Sequence, residues 1–343
     1  MPSERLHIAV GVIFNKTRDK VLLSKRQGDV PHAGLWEFPG GKLNPGERVV
    51  DALHRELSEE LGLLVEQAQP LIVIDHDYPE QAVTLDVWVV DQWRGELQGR
   101  EGQVIEWVAL HELQGRDFPV ANGPIVSAIN LSPLYLITPE LMEDGDIFLK
   151  RIRGFIKTGI KLIQFRSKHT NQREIKDLLV ATTNICHELG CQLLFNGKPD
   201  DAVDSGADGV HLTAERLLQL DERPLSSEYW VAASCHNKDE LEHACRIGVD
   251  FTVLSPVHRT SSHPAAEPLG WRHFAELTRA ATVPVYALGG MNLSDMEVVR
   301  QHGGQGVAMI SGIWQVSHPE SAIRKYMSGL MLGQAPRSRV SSS

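Results

Sequence analysis

The chain has only 4 cysteines in 343 residues, and Cys186, Cys191, Cys235 and Cys245 form no CxxC pair. That excludes a disulfide framework and a thiolate metal cluster. No apolar run approaches the roughly 18 residues that a membrane span needs. The start, Met1-Pro2-Ser3-Glu4-Arg5, lacks the basic-then-apolar order of an export signal. A reducing cytoplasm is therefore the expected location. Positive charge is also short: 34 Lys and Arg stand against 44 Asp and Glu, a formal net charge of −10. That balance excludes a polyanion-binding surface, so neither nucleic acid nor membrane is expected as a direct partner. A small phosphorylated ligand stays open, because a metal ion can bridge two sets of negative charge. What is present, 42% hydrophobic and 23% charged residues, is ordinary globular chain, long enough for two domains.

The first part alternates strand-like runs with turns. Leu6–Phe14 and Lys20–Lys25 flank Asn15-Lys16-Thr17-Arg18-Asp19, which reads as a hairpin. Leu71–Asp75, Val83–Val90 and Val104–Ala109 read as further strands. One strong helix is expected from Glu47 to Leu61 and a second near Ile125–Ile129. Strands with few helices make an α+β domain over residues 1–131. After Asn130-Leu131-Ser132-Pro133 the rhythm changes, and 8 short apolar runs follow: Leu134–Thr138, Lys161–Phe165, Gln192–Asn196, Gly209–Leu212, Trp230–Ser234, Phe251–Ser255, Pro284–Leu288 and Gly306–Ile310. Helical stretches separate most of them, such as Asn171–Leu189, with Asn171 and Glu174 as a capping box, and Lys238–Ile247. Strand–helix units in this number predict an α/β domain, a (β/α)8 barrel, over residues 132–330. The Ser-, Arg- and Pro-rich tail, residues 331–343, is expected to be disordered.

The densest chemistry lies between Gly41 and Leu63, where the chain reads Gly41-x5-Glu47-x7-Arg55-Glu56-Leu57-x-Glu59-Glu60-x-Gly62-Leu63. On a helix, Glu56, Glu59 and Glu60 share one face, beside the apolar stripe of Leu53, Leu57 and Leu61. Arg55 stands where it can orient Glu59. Carboxylates grouped this way suit hard, octahedral Mg2+, or Mn2+, held against a diphosphate. A solvated acidic face is the plainer alternative.

This segment, preceded by Phe38-Pro39-Gly40-Gly41-Lys42, matches the signature of the Nudix hydrolases throughout. Leu6 to Leu131 resembles the MutT type, which acts on oxidised guanine nucleotides. The resemblance is carried by Ile8-Ala9-Val10-Gly11-Val12-Ile13, Leu35-Trp36-Glu37-Phe38, Glu101-Gly102-Gln103 with Glu106-Trp107, and Asp117-Phe118-Pro119-Val120-Ala121-Asn122. It implies that Glu56, Glu59, Glu60 and the Gly40 carbonyl hold metal and that Glu101 adds a carboxylate. Arg26 is implied at the phosphate or base edge, Phe38 and Phe118 as walls of the purine, and Asn122 as its reader. An amide suits that task because it offers both a donor and an acceptor. Glu80 falls where the family has an aspartate. Asn122 as a helix cap, Arg26 as a surface charge and Phe38 as core remain alternatives. The implied reaction is Mg2+-dependent hydrolysis of a nucleoside triphosphate to a monophosphate and pyrophosphate, with Glu56 or Glu101 as base.

In the second part, polar residues gather at the C-terminal strand ends, where barrel sites lie. They are Thr138, Gln164, Arg166, Lys168, Asn196, His211, Ser234, His236 and Ser255. Gly289-Gly290 and Ser311-Gly312 follow the last two strands, where barrels cradle phosphate. This part resembles the thiamine-phosphate synthase and TenI family through Leu134-Tyr135-Leu136-Ile137-Thr138, Gln164-Phe165-Arg166-Ser167-Lys168, Gly206-Ala207-Asp208-Gly209-Val210-His211-Leu212 and Leu288-Gly289-Gly290. A thiamine-pathway phosphate is the implied ligand. Two acidic metal positions of that family read Gly197 and Arg216 here, and the loop after Pro256 has no lysine. Three activities stay open: phosphate synthase, a TenI-type tautomerase with His236 moving a proton, or a non-catalytic metabolite-binding barrel.

Overall fold

The computed structural model describes residues 5–27, 32–140, 144–167, 172–260 and 266–331, with backbone only for 172 and 328–331. The chain forms two compact units, with the main division between Leu131 and Ser132.

In the first unit the strands are β1 Leu6–Ile13, β2 Lys20–Lys25, β3 Trp36–Glu37, β4 Gly40–Lys42, β5 Leu64–Asp77, β6 Ala82–Arg94 and β7 Ile105–Ala109. Helix α1, Val49–Leu61, precedes β5, and α2, Gly123–Asn130, closes the unit. The order β4-β1-β6-β5 makes a mixed sheet in which β1 and β6 run parallel. A second, antiparallel sheet has the order β3-β2-β7. The α+β reading holds, but the expected hairpin does not. Both edges of β1 are filled, by β4 and by β6, so β2 turns away after a single bridge, Phe14 to Val21. The turn itself is built on Asn15, whose side-chain oxygen accepts from the Asp19 and Lys20 N–H groups at 3.1 and 3.2 Å.

Helix α1 is amphipathic, as its spacing predicts. Ala52, Leu53, Leu57 and Leu61 pack against Ala9, Ile13, Leu22, Leu63 and Val90. Each leucine buried this way contributes about 1.5–3 kcal/mol. The helix starts at Val49 rather than Glu47, because Arg48 is extended and the Glu47 carboxylate accepts from the Asn44 N–H at 2.8 Å. It ends at Gly62, whose φ of 69° only glycine adopts without strain. Strand β5 begins well before the expected Leu71. Its first half is largely exposed, carries Pro70 and has three register shifts against β6, which hid it from period-2 reading.

In the second unit, all 8 apolar runs become parallel strands: β8 Leu134–Ile137, β9 Leu162–Phe165, β10 Gln192–Phe195, β11 Gly209–Leu212, β12 Trp230–Cys235, β13 Phe251–Leu254, β14 Val285–Ala287 and β15 Gly306–Met309. They close into a barrel, β10-β11-β12-β13-β14-β15-β8-β9. The connecting helices are α3 Gly145–Ile156, α4 Gln172–Glu188, α5 Pro199–Asp204, α6 Ala214–Leu217, α7 Lys238–Ile247, α8 Gly270–Ala280, α9 Met296–Gln301 and α10 Ser311–Trp314, and α11 Pro319–Met331 follows. Tyr135, Phe251 and Tyr286 fill the barrel with rings 5.4–5.7 Å apart. Asn171 of the expected capping box, Lys168 and the tail from 332 lie outside the described residues. Among the described residues no helix is long and apolar enough to cross a membrane.

Candidate functional site

The glycine turn and α1 meet as the sequence requires. A Cβ on Gly41 would lie 2.2 Å from the Glu56 carboxyl carbon, so only glycine leaves room for that carboxylate. The Gly40 N–H donates to Glu60 Oε2 at 3.3 Å. Arg55 is the fork that orders the acidic face. Its Nε and Nη2 donate to the two Glu47 oxygens at 2.9 Å, Nη1 donates to Glu56 at 2.7 Å and Glu59 at 3.3 Å, and Nη2 reaches the Lys42 carbonyl at 3.0 Å. The guanidinium in turn is held firmly charged by Glu47 and Glu56.

Glu60 reports on its surroundings. Burial, then the charges of Glu101, Glu37 and Glu56, push its carboxyl up to about 8, with the Gly40 N–H working in the opposite direction. A half-buried carboxylate pressed by three others at a glycine turn fits a hard divalent cation, which would relieve that pressure. Of the expected ligands, Glu56, Glu60, Glu101 and Gly40 come together. Glu59 shares Arg55 Nη1 with Glu56, at 3.3 Å, and stands at the exposed edge of the same fork. Among the described residues no three acidic, imidazole or thiol groups are already drawn into a ligand set. Glu37, which the spacing of the helix could not reveal, is the addition. Burial raises its carboxyl despite an ion pair with Arg26. The Arg26 guanidinium, expected at phosphate or base, is thus engaged on Glu37.

Beside this turn, Phe38 and Phe118 stack on each other, centroids 5.7 Å apart and planes 5° apart. Phe38 is 3% exposed and lies in the core, as its plainer alternative had it, so the partly exposed Phe118 ring is the face left open. Asn122 follows at the start of α2 and is 8% exposed, yet α2 takes no side-chain cap from it. The amide is therefore not spent as a cap. The Ala121 N–H next to it donates to the Tyr78 hydroxyl at 3.3 Å, and Tyr78 packs against His32 and His76. Tyr78 and the two histidines were not singled out by sequence; the turn between β5 and β6 brings them here.

In the barrel, Thr138 Oγ1 accepts from the Arg166 N–H at 2.8 Å, fixing the end of β9. Gln164 is buried and accepts from Asn196 Nδ2 at 3.0 Å. Ser234 contacts His211 at 2.8 Å. His236 is half-exposed, with Nδ1 2.9 Å from Glu240, which also accepts from the His236 N–H at 2.7 Å. Glu240 is a partner that spacing alone did not mark. Gly289 and Gly290 have φ of 101° and 67° and line a small hollow with Thr260, Ile310 and Ser311. A Cβ on Gly312 would meet the Met291 carbonyl at 2.3 Å, which keeps the turn after β15 close to that after β14. Gly197 is closed to any side chain: its Cβ would lie 1.9 Å from the Phe195 ring. With Arg216 on α6, the barrel residues do not fit an acidic metal site at these two places.

The fold and sites define a two-part chain, with a carboxylate-lined unit of the nucleotide-phosphate hydrolase class followed by a (β/α)8 barrel. Residues 134–313 match the family model of thiamine monophosphate synthase, and residues 5–128 match that of the NUDIX domain. The barrel match covers more than half of the chain, which belongs to the thiamine monophosphate synthase family; its first unit is a Nudix domain of MutT type. The 8-oxo-dGTP diphosphatase of Escherichia coli is 37% identical over 37% of this chain and 97% of its own length. The thiamine-phosphate synthase of Syntrophomonas wolfei is 30% identical over 56% of this chain and 93% of its own length. A solved MutT structure from work on Aliivibrio salmonicida and Vibrio cholerae is 36% identical, covers 37% of this chain and 97% of its own, and has a TM-score of 0.33.

Proposed function

We propose that the first unit hydrolyses oxidised purine nucleoside triphosphates, 8-oxo-dGTP to 8-oxo-dGMP and pyrophosphate, and so protects replication from mutagenic nucleotides. The observation that carries this is the crowding of the half-buried Glu60 carboxylate by Glu101, Glu37 and Glu56 at the Gly40–Gly41 turn, beside the Phe118 ring and an Asn122 amide not spent as a helix cap. Glu56, Glu60, Glu101 and the Gly40 carbonyl would hold Mg2+ or Mn2+, with Glu59 joining by leaving Arg55. The bound cation would supply charge neutralisation for the triphosphate and a more acidic water. Arg55 holds Glu56 in place. Glu101 or Glu56 takes the proton of the attacking water as its oxygen bonds to phosphorus and the bond to pyrophosphate breaks. Phe118, backed by the buried Phe38, offers a face for the purine, and Asn122 pairs with its carbonyl and N–H edge.

The test is kcat/KM for 8-oxo-dGTP and dGTP on the purified chain and its Asn122→Ala variant. The oxidised nucleotide should be preferred by at least about tenfold, and N122A should erase most of that preference, as expected when a buried amide reads the base. Equal rates on both nucleotides would leave a general Nudix activity and remove the sanitising role.

A second reading concerns the barrel: a site for a phosphorylated ligand of thiamine type. Its support is the glycine turns after β14 and β15. The closed seat of Gly197 favours binding, or proton transfer at the His236–Glu240 pair, over synthesis that depends on acidic metal ligands.

A further inference from the structure

Five side chains on or just after five neighbouring barrel strands are joined end to end. Asn196 Nδ2 donates to Gln164 Oε1 at 3.0 Å, and Gln164 Nε2 donates to the Tyr135 hydroxyl at 3.2 Å. The hydroxyl lies 3.2 Å from His211 Nδ1, and His211 Nε2 lies 2.8 Å from Ser234 Oγ. Gln164 is 2% exposed, Tyr135 0% and His211 1%, so water does not serve these groups.

The row has one direction. The Gln164 oxygen takes the Asn196 N–H and its nitrogen faces Tyr135, so the Tyr135 oxygen accepts there and its proton must find another acceptor. The one proton on Tyr135 then goes to His211 Nδ1, which must be bare. Burial, with Arg166 nearby, pushes His211 down to about 3, and burial pushes Tyr135 well up, so both are neutral. The single ring proton therefore sits on Nε2 and is donated to Ser234. The Ser234 oxygen accepts it, which leaves its own proton free. Ser234 and Asn196, the two ends, are the partly exposed members, at the C-terminal ends of β12 and β10. Apolar residues would fill the same space without the desolvation cost of buried polar groups. A row satisfied throughout, and open only at the mouth, is organised toward something that binds there.

We propose that Tyr135 and His211 are positioning residues of the barrel's ligand site: through Gln164 and Ser234 they fix a hydrogen-bond donor at the mouth, so that the ligand presents an acceptor atom, an anionic oxygen or an unprotonated ring nitrogen, to Ser234. This rests on the reading of the barrel as a binding site.

The first measurement is 15N NMR of His211 in the full chain at neutral pH. A neutral ring protonated on Nε2 is expected, and Tyr135→Phe, which removes the donor to Nδ1, should give a mixture of both tautomers. The second is calorimetric titration with thiamine phosphate. That compound has no phosphoanhydride, so the Nudix unit does not contribute. Tyr135→Phe and Ser234→Ala should each weaken binding about tenfold, the effect of one buried hydrogen bond, with Tm unchanged in S234A. No binding by the wild type would overturn the barrel-binding reading and the proposal with it. Binding with the ring proton on Nδ1, or unweakened binding in both variants, would overturn the positioning role alone.

Discussion

Replacing Glu60 by glutamine keeps the shape of the side chain and removes its charge. In the metal-free protein the Glu60 carboxyl stands at about 8, against an ordinary value of 4.5, because of burial and then Glu101, Glu37 and Glu56. The folded state therefore binds a proton that the unfolded chain has already released, and stability falls as pH rises from the lower value to the higher. The cost is roughly 3 kcal/mol near pH 7 and roughly 5 kcal/mol once Glu60 is fully ionised. Glu60→Gln removes that cost. Hydrogen exchange of the α1 amides, in EDTA and corrected for intrinsic rates, reads it locally. Between pH 5 and pH 7, roughly, wild-type protection should fall relative to E60Q by up to about 100-fold, the equivalent of the free energy near neutrality. Saturating Mg2+ should restore the wild type and leave E60Q unchanged, because a cation displaces the proton. E60Q should also be inactive as a hydrolase. Parallel pH profiles for the two proteins in EDTA would refute the electrostatic account of the site.

Two further substitutions probe its geometry, and one the barrel. Gly41→Ala places a methyl on the Glu56 carboxylate, 2.2 Å from its carbon, and should lower kcat/KM by at least about 100-fold with the circular dichroism spectrum unchanged. Arg55→Lys replaces the fork that meets both Glu47 oxygens with a point charge, and kcat should drop about tenfold or more while KM changes little. Gly197→Ala drives the Phe195 ring from its seat, 6.3 Å from Phe165; barrel stability should fall by about 1–3 kcal/mol, read by denaturant unfolding, with nucleotide hydrolysis unaffected.

The barrel was legible because its strands are buried on both faces. Leu134–Ile137 and Phe251–Leu254 are apolar or small throughout, and Leu162–Phe165 is broken only by Gln164; runs of that kind survive without any alternating pattern. The Nudix sheet was less so. The turn chemistry at Asn15 fits a hairpin locally, but pairing is decided by β4 and β6, which arrive from elsewhere in the chain and claim both edges of β1. The helical period correctly joined Glu56 to Glu60, which are four residues apart and nearly eclipsed. It also set Glu59 beside Glu56 on the Arg55 fork, though exposure, which the period does not give, is greater at Glu59 than at Glu56 or Glu60. Glu37 was unreadable as a member of the group, since only the folding of β3 and β4 against α1 brings it near Glu60. The strand-end residues of the barrel could be enumerated from sequence, but the Asn196-to-Ser234 row exists only once the barrel has closed.

Two glycines carry the contrast between the units. Gly41 and Gly197 each follow a strand position or lie within a strand at a point where the chain expects chemistry, and each is closed to a Cβ by a single neighbouring side chain. At Gly41 the neighbour is the Glu56 carboxylate, so the missing side chain makes space for a charged ligand atom. At Gly197 it is the Phe195 ring, so the missing side chain makes space for packing, and an aspartate there would need the ring to move. Acidic metal binding in the barrel therefore takes more than one substitution: Gly197→Asp must be accompanied by a smaller residue at 195 and by loss of the positive charge at Arg216. A triple change of that kind that creates Mg2+-dependent binding of pyrophosphate, measured in an E56Q background to silence the first unit, would show that the two side chains and the glycine act as one barrier. Mg2+-dependent binding in the Gly197→Asp single variant would show that the ring yields easily and is no barrier to an acidic ligand there.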